Sequence, residues 1–102
     1  MSKNLEEDEL YFLYLGLGEL NKLRAETCFD KLYNREKIKV CRNHLNLSEV
    51  FFTKSFNIAK KLKWKRDIKL LKFTLDTFLP FIDLRLNSIE HMNEISLDLN
   101  HK

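Results

Sequence analysis

Apolar side chains recur every three or four residues through most of the chain, as expected of helices that each bury one face. The first such block contains Leu10, Leu13, Leu17, Leu20, Cys28 and Leu32, with Tyr11, Leu15, Phe29 and Tyr33 widening the stripe. Asn4 and Glu7 have capping-box spacing, so we expect a helix that begins there and runs to about Tyr33. Gly16 and Gly18 predict either a break in this helix or a close crossing with another one.

Residues 34–47 are compatible with two kinds of element. Ile38, Cys41 and Leu45 have the spacing of a short helix, whereas residues 37–42 also alternate as a strand would. Helix is our prediction for this segment.

A further helix is predicted to begin at Ser48, because serine is a favourable N-cap residue. Its buried face would consist of Phe52, Phe56, Ala59 and Leu62. We expect this helix to end near Lys63, where the apolar phase changes.

The last apolar block keeps a register of its own. It comprises Ile68, Leu71, Leu75, Phe78, Ile82, Ile89 and Met92. The change of phase predicts a turn at 64–67, with Asp67 as the cap of a helix that runs towards Ile95. Pro80 would kink this helix, because proline cannot donate a hydrogen bond to the carbonyl of Asp76.

Composition supports a folded, all-α protein. Hydrophobic residues make up 44% of the 102 positions and charged residues 32%, and only two glycines and one proline are available for turns. We therefore predict a single domain over residues 1–102, a small helical bundle of three to four helices with a long, Pro-kinked C-terminal helix. The longest uncharged apolar stretch, Leu10–Gly18, is too short to span a bilayer, and no export signal is evident. A cytoplasmic location is expected, with Cys28 and Cys41 reduced.

Three patterns that could indicate a catalytic, cofactor or metal site are weak. Gly16-Leu-Gly18 lacks the third glycine and the preceding strand of a dinucleotide-binding fingerprint. Cys41-Arg-Asn-His44 supplies two ligands, whereas a structural zinc site needs four. Consecutive acids from Glu6 to Glu9 should diverge around a helix, where they suit the positive end of its dipole. We predict no cofactor, no metal and no enzymatic activity.

One segment resembles an enzyme motif. Arg85-Leu-Asn-Ser-Ile-Glu-His91 resembles the Arg-x(4 to 6)-His motif of HEPN-type helical ribonucleases. In that family the arginine and the histidine act on the scissile phosphate, usually across a dimer interface. The resemblance makes a HEPN-like ribonuclease a minor alternative. Arg85 also takes a position of the last apolar register where a leucine or isoleucine is expected, which predicts contact with an acidic partner.

Charge is distributed unevenly. The segment from Lys54 to Lys72 carries eight basic residues against the single acid Asp67, a local balance of +7, whereas the whole chain is +3 and the remainder therefore −4. The candidate binding residues are Lys60, Lys61, Lys63, Trp64, Lys65, Arg66, Lys69, Lys72 and Arg85. The lysines would contact phosphates while Trp64 stacks on a base. Alternatively, the acids at Glu6 to Glu9 fold back and pair with this segment.

Protein association is the leading functional expectation. The chain has eight Phe, three Tyr and one Trp, and the apolar set from Ile68 to Met92 is longer than a small bundle can cover. We predict a non-enzymatic protein-protein interaction or regulatory module, with a homodimer among the options. Binding of nucleic acid or another polyanion through the basic segment 54–72 is the alternative.

Overall fold

The chain folds into helices only, over all the residues that the computed structural model describes: 5–27 and 35–100, with side chains to residue 92. Helix α1 spans Glu7–Glu26 and α2 spans Arg35–Leu62. A third helical segment consists of α3 (Lys65–Phe73), a π-helical turn (Thr74–Phe78) and α4 (Leu79–Asn100). The predicted all-α bundle with a long C-terminal helix is confirmed.

Helix α2 is longer than the sequence pattern indicated. Residues 35–47 are helical, as predicted, but they continue without a break through Ser48 to Leu62. The prediction that Ser48 caps a new helix is therefore wrong. The buried residues of α2 alternate at spacings of three and four: Ile38, Cys41, Leu45, Ser48, Phe52, Ser55 and Ala59. Such a seam is typical of paired helices that follow a heptad repeat.

Helices α1 and α2 cross closely because small residues separate them. The Ser48 hydroxyl is buried and donates to the carbonyl of Gly18 at 3.0 Å, and the Ser55 hydroxyl donates to the carbonyl of Tyr11 at 3.2 Å. A Cβ atom at Gly18 would lie 2.9 Å from the ring of Phe52. Of the two alternatives for the glycines, Gly18 therefore marks a close crossing, and α1 is unbroken.

The buried face of α1 agrees only in part with the apolar stripe that the sequence indicated, since Tyr11 is buried and Leu15 packs against the core. Its buried residues are Tyr11, Gly18, Asn21 and Ala25. Leu13 and Leu20 are instead 47% and 44% exposed, so this part of the prediction is wrong. The physical reason is the close approach to α2, which selects the side of α1 with Gly18 and Ala25 over the bulkier leucine side.

The turn between α2 and α3 lies at Lys63 and Trp64, at the early edge of the predicted turn. Lys63 has a φ of 61°, and the backbone N–H groups of Lys63 and Trp64 bond to the carbonyls of Lys60 and Ala59. This pattern is a Schellman motif with lysine in the left-handed position that glycine usually takes. Trp64 is the N-cap residue of α3, so the prediction that Asp67 caps this helix is wrong.

The π-helical turn shifts the register of the last helical segment by one residue. The N–H of Leu79 bonds to the carbonyl of Thr74, five residues back. After the turn, Leu79, Ile82 and Leu86 are buried, whereas Phe78 is 36% exposed. The wide turn comes directly before Pro80, where an α-helical hydrogen bond is unavailable.

The molecule is thin. Its principal extents are 61 × 33 × 16 Å and its radius of gyration is 17.0 Å, compared with about 13 Å for a compact domain of this length. The last helical segment contacts both of the other helices, α1 through Tyr11 and Asp67 and α2 through Arg42 and Asp83. Three helices in such an elongated arrangement leave more surface exposed than a compact domain does.

Cys41 is disulfide-bonded, and the expectation that it is a reduced thiol is wrong. Cys28, the other cysteine of the chain, lies outside the described residues, as do Asn4 and the predicted end of the first helix near Tyr33.

Within the described part of the chain, no helix has the length and apolar character needed to cross a membrane. The cytoplasmic location stays a prediction, and the disulfide is a feature more typical of oxidising compartments.

We expect Gly18→Ala to lower the free energy of unfolding by about 1–3 kcal/mol, because the added methyl group must displace the Phe52 ring in a packed seam. Gly16→Ala is the matched control on the same helix. A Cβ at Gly16 meets nothing within 4 Å, so this change should raise stability by up to about 1 kcal/mol through helix propensity. Chemical denaturation of both variants in dilute solution checks this; equal effects would contradict the close crossing.

Candidate interaction surfaces

The outward side of α1 is apolar. Exposed large side chains on or just before this helix are Leu5, Phe12, Leu13, Leu20 and Leu23. Leu13 and Leu20 lie on the side of the helix opposite Gly18, two turns apart, with Gly16 between them. Since α2 packs against the other side, α1 is apolar on both sides. We call the set Leu13, Gly16, Leu20 and Leu23 the α1 outer face.

The last helical segment carries a second exposed apolar surface. Its members are Leu70, Phe73, Phe81 and Leu84, each more than half exposed. Leu70 and Phe73 lie about one turn apart on α3, and Phe81 and Leu84 lie about one turn apart on α4. Met92, a further eight residues on, is also exposed. The sequence prediction of an apolar surplus between Ile68 and Met92 agrees with these exposures.

The basic segment lies at the end of α2, in the turn and on α3. All of its basic side chains that were predicted to contact phosphates are exposed: Lys60, Lys61, Lys63, Lys65, Arg66, Lys69 and Lys72. Lys61 forms an ion pair with Glu7. At this position, therefore, an acid from the start of the chain does fold back and pair with the basic segment. Both side chains of the pair are well exposed, and such pairs contribute little stability.

Trp64 is part of the fold rather than a freely projecting side chain. It is half-buried and packs against the core, with its ring edge-on to that of Tyr11 at a centroid distance of 5.1 Å. Phe12 lies 6.1 Å from the same indole. Stacking of Trp64 on a base would therefore be limited to the part of the ring that this packing leaves exposed.

Tyr11 connects α1 to α3 through a polar contact. Its side chain is 2% exposed, and its hydroxyl donates to Asp67 Oδ1 at 2.9 Å. The pKa of Tyr11 is raised from 10.0 to about 12, chiefly by burial and further by the hydrogen bond to Asp67 and the charge of that carboxylate. Asp67, which the sequence suggested as a helix cap, thus holds the two helices together.

Arg85 does not occupy a core position. The π-helical turn brings Leu86 to the buried slot that the uninterrupted register assigned to Arg85, and Arg85 is exposed. His91 is exposed on the same helix. The interpretation of Arg85 as a charge within the apolar stripe is therefore wrong.

Sequence reasoning missed the arginine that does bridge two helices. Arg42 of α2 donates to Asp83 at 3.0 Å, to Glu90 at 2.9 Å and also to Asn87. These three acceptors lie on one side of α4, at spacings of four and three residues. That spacing was the available signal, but nothing in the sequence connects it to Arg42, 41 positions before Asp83.

The residues of the two candidate metal patterns make ordinary structural contacts. Cys41 is in a disulfide, and His44 Nδ1 lies 2.8 Å from the side-chain oxygen of Asn21. The carboxylates of Glu6, Asp8 and Glu9 come within 4.8 Å of one another, which corrects the expectation that they diverge. All three are exposed, as is common for acids at a helix start.

Comparison with protein-family models, with curated proteins and with solved structures finds no match for this chain.

The raised pKa of Tyr11 predicts a loss of stability in alkali. The unfolded chain releases the tyrosine proton near pH 10 and the folded chain near pH 12, so the stabilisation is complete below pH 10 and is lost as the pH rises towards 12. Tyr11→Phe should make the free energy of unfolding less dependent on pH in this window. Tyr14→Phe, on the same helix, should keep the wild-type slope in denaturation between about pH 9 and pH 12. Equal slopes for the two variants would contradict the assignment.

Proposed function

We propose that this chain is a non-enzymatic interaction module that packs its exposed apolar helix faces against other protein helices. The observation that carries the proposal is the coexistence of two exposed apolar surfaces, on α1 and on the last helical segment, in a thin and elongated molecule. A helix that is apolar on both sides normally lies between two partners. Within the described part of the chain, α2 covers only one side of α1.

The accessible surface area supports this proposal. It is 7660 Å², compared with about 6,100 Å² for a compact monomer of 12.3 kDa. The excess of roughly 1,500 Å² is larger than the roughly 800 Å² that each partner buries in a standard protein-protein interface. Large apolar side chains occupy much of the outward surface, and contiguous apolar patches of this kind mark interaction sites.

Charge changes on the two faces test the proposal. Leu20→Glu and Leu84→Glu replace exposed side chains, so both variants should keep the wild-type melting temperature within a few degrees. Each should reduce the association that uses its face, whether with another copy or with a partner recovered from cells. Asn57→Glu is the matched control, because it introduces the same charge at an exposed polar position of α2.

Molar mass from light scattering and quantitative pull-downs provide the measurement. A wild-type chain that is monomeric at high concentration, together with pull-downs whose composition is the same for all variants, would contradict an interaction role.

Nucleic-acid binding is the second proposal, and the exposure of every lysine of the basic segment and of Arg66 favours it. Lys65 and Arg66 lie in the first turn of α3, whose N-cap makes no side-chain hydrogen bond. Positive charge at the positive end of a helix dipole is unfavourable for folding alone but would help to bind a phosphate.

We expect affinity for a random oligonucleotide to fall steeply with salt, because phosphate contacts release counterions. Replacing Lys65, Arg66 and Lys69 with Glu should abolish binding. Lys69→Glu alone should weaken it several-fold, whereas Lys39→Glu, an equal change of charge at an exposed site of α2 outside the basic segment, should have a much smaller effect. Fluorescence anisotropy checks this, and no binding of the wild type at low salt would end the proposal.

A further inference from the structure

The α1 outer face has the regular spacing of a helix-packing seam. Leu13, Gly16, Leu20 and Leu23 follow one another at intervals of three, four and three residues, and Glu9 extends the series by four. This alternation keeps side chains in line along a helix, as in the seam between paired helices. The buried residues of α2 show the same alternation where α2 meets α1. The outer face therefore has the pattern of an interhelical contact but, in the described structure, no helix lies on it.

Gly16 is unexplained by the packing of a single chain. It lies near the middle of α1, and a Cβ there would meet nothing within 4 Å. In an exposed helix interior, glycine costs about 1 kcal/mol relative to alanine. Gly18, by comparison, is needed for the approach of α2. On the outer face, Gly16 leaves space between Leu13 and Leu20 into which a side chain of another helix can insert.

The charges of α1 identify the helix that fits this face. Its first turn is acidic, with Glu7, Asp8 and Glu9, and Arg24 is the basic residue of its last turn. Glu9 and Arg24 are both exposed and flank the apolar residues of the outer face. Two copies of α1 side by side in antiparallel orientation would place the acidic end of each next to the basic end of the other. Parallel copies would place like charges together.

We propose that the α1 outer face binds the same face of a second copy of this chain, with the two α1 helices antiparallel. This inference deepens the proposed interaction role and rests on it. The contact is self-complementary, as a two-fold interface requires. Leu13 and Leu20 of one copy pack around Gly16 of the other, and Glu9 pairs with Arg24 at each end. The leucines that α2 leaves exposed become buried in the dimer.

Charge reversal tests both the partner and the orientation. Glu9→Arg and Arg24→Glu each replace two attractive contacts per dimer with two repulsive ones, so each variant alone should dimerise about tenfold more weakly. The doubly reversed variant restores opposite charges and should recover the wild-type dissociation constant. Mixing the two single variants should give mixed dimers in excess of the homodimers, since one variant is then basic and the other acidic at both positions. Both end contacts of the mixed dimer are therefore attractive, whereas both are repulsive in each homodimer. Glu49→Arg, an equal change of charge on α2, is the control.

Sedimentation equilibrium gives the dissociation constants, and native mass spectrometry gives the proportion of mixed dimers. Leu20→Glu should weaken the dimer about a hundredfold or more, since two buried leucines are lost per dimer, and Leu84→Glu should leave it unchanged. A dimer that is abolished by Leu84→Glu and insensitive to the α1 changes would overturn this inference while retaining the interaction role. A wild-type chain that is monomeric at every concentration overturns the inference too, and the interaction role then depends on the partner pull-downs alone.

Discussion

The close crossing of α1 and α2 determines the rest of the structure. Gly18 lets the Phe52 ring come within 2.9 Å of the place where a Cβ would be, and two buried serines donate to backbone carbonyls of α1. These contacts require small residues at Gly18, Ser48 and Ser55, while Tyr11 and Phe52 are the largest fully buried side chains of the pair. The side of α1 that approaches α2 is consequently the one with Gly18 and Ala25, and the leucines lie on the opposite side.

A thin molecule follows from this arrangement. The last helical segment packs beside the α1–α2 pair, held by Tyr11 and Asp67 at one end and by Arg42 with its α4 acceptors at the other. Both links are polar contacts between neighbouring helices. The exposed leucines and phenylalanines are a consequence of this geometry in an isolated chain. They also make the α1 outer face and the last helical segment suitable for packing against other helices.

The helices themselves could be predicted from the sequence, since apolar spacing, scarce glycine and a single proline all indicate them. Which side of each helix is buried could not be predicted. Ser48 looks like a helix start because serine usually caps helices, yet here it is a small residue in the seam of a helix that spans 28 residues. Likewise, the leucines on α1 suggest a buried face, whereas the close approach of α2 buries the side of α1 that carries Gly18 and Ala25.

The register of the last helical segment and the contacts between residues far apart in the chain could not be predicted from the sequence either. The π-helical turn moves Leu79 and Leu86 into the slots that an uninterrupted helix gives to Phe78 and Arg85, and no local residue signals the extra position except Pro80. The lysines and Arg66 between residues 60 and 72 are exposed, and their role in binding stays a prediction. The integration of Trp64 into the core depends on Tyr11, far earlier in the chain, which only the folded structure brings into contact with it.

In the proposed dimer, a second α1 covers the α1 outer face. The most direct measurement is cross-linking of purified protein with photo-leucine in place of Leu20, followed by mass spectrometry of the covalent product. Antiparallel pairing of the two outer faces predicts a dimeric product in which position 20 of one copy is attached to residues 12–17 of the other. A product that is entirely monomeric, or one in which position 20 is attached to α4 of a second copy, would contradict it.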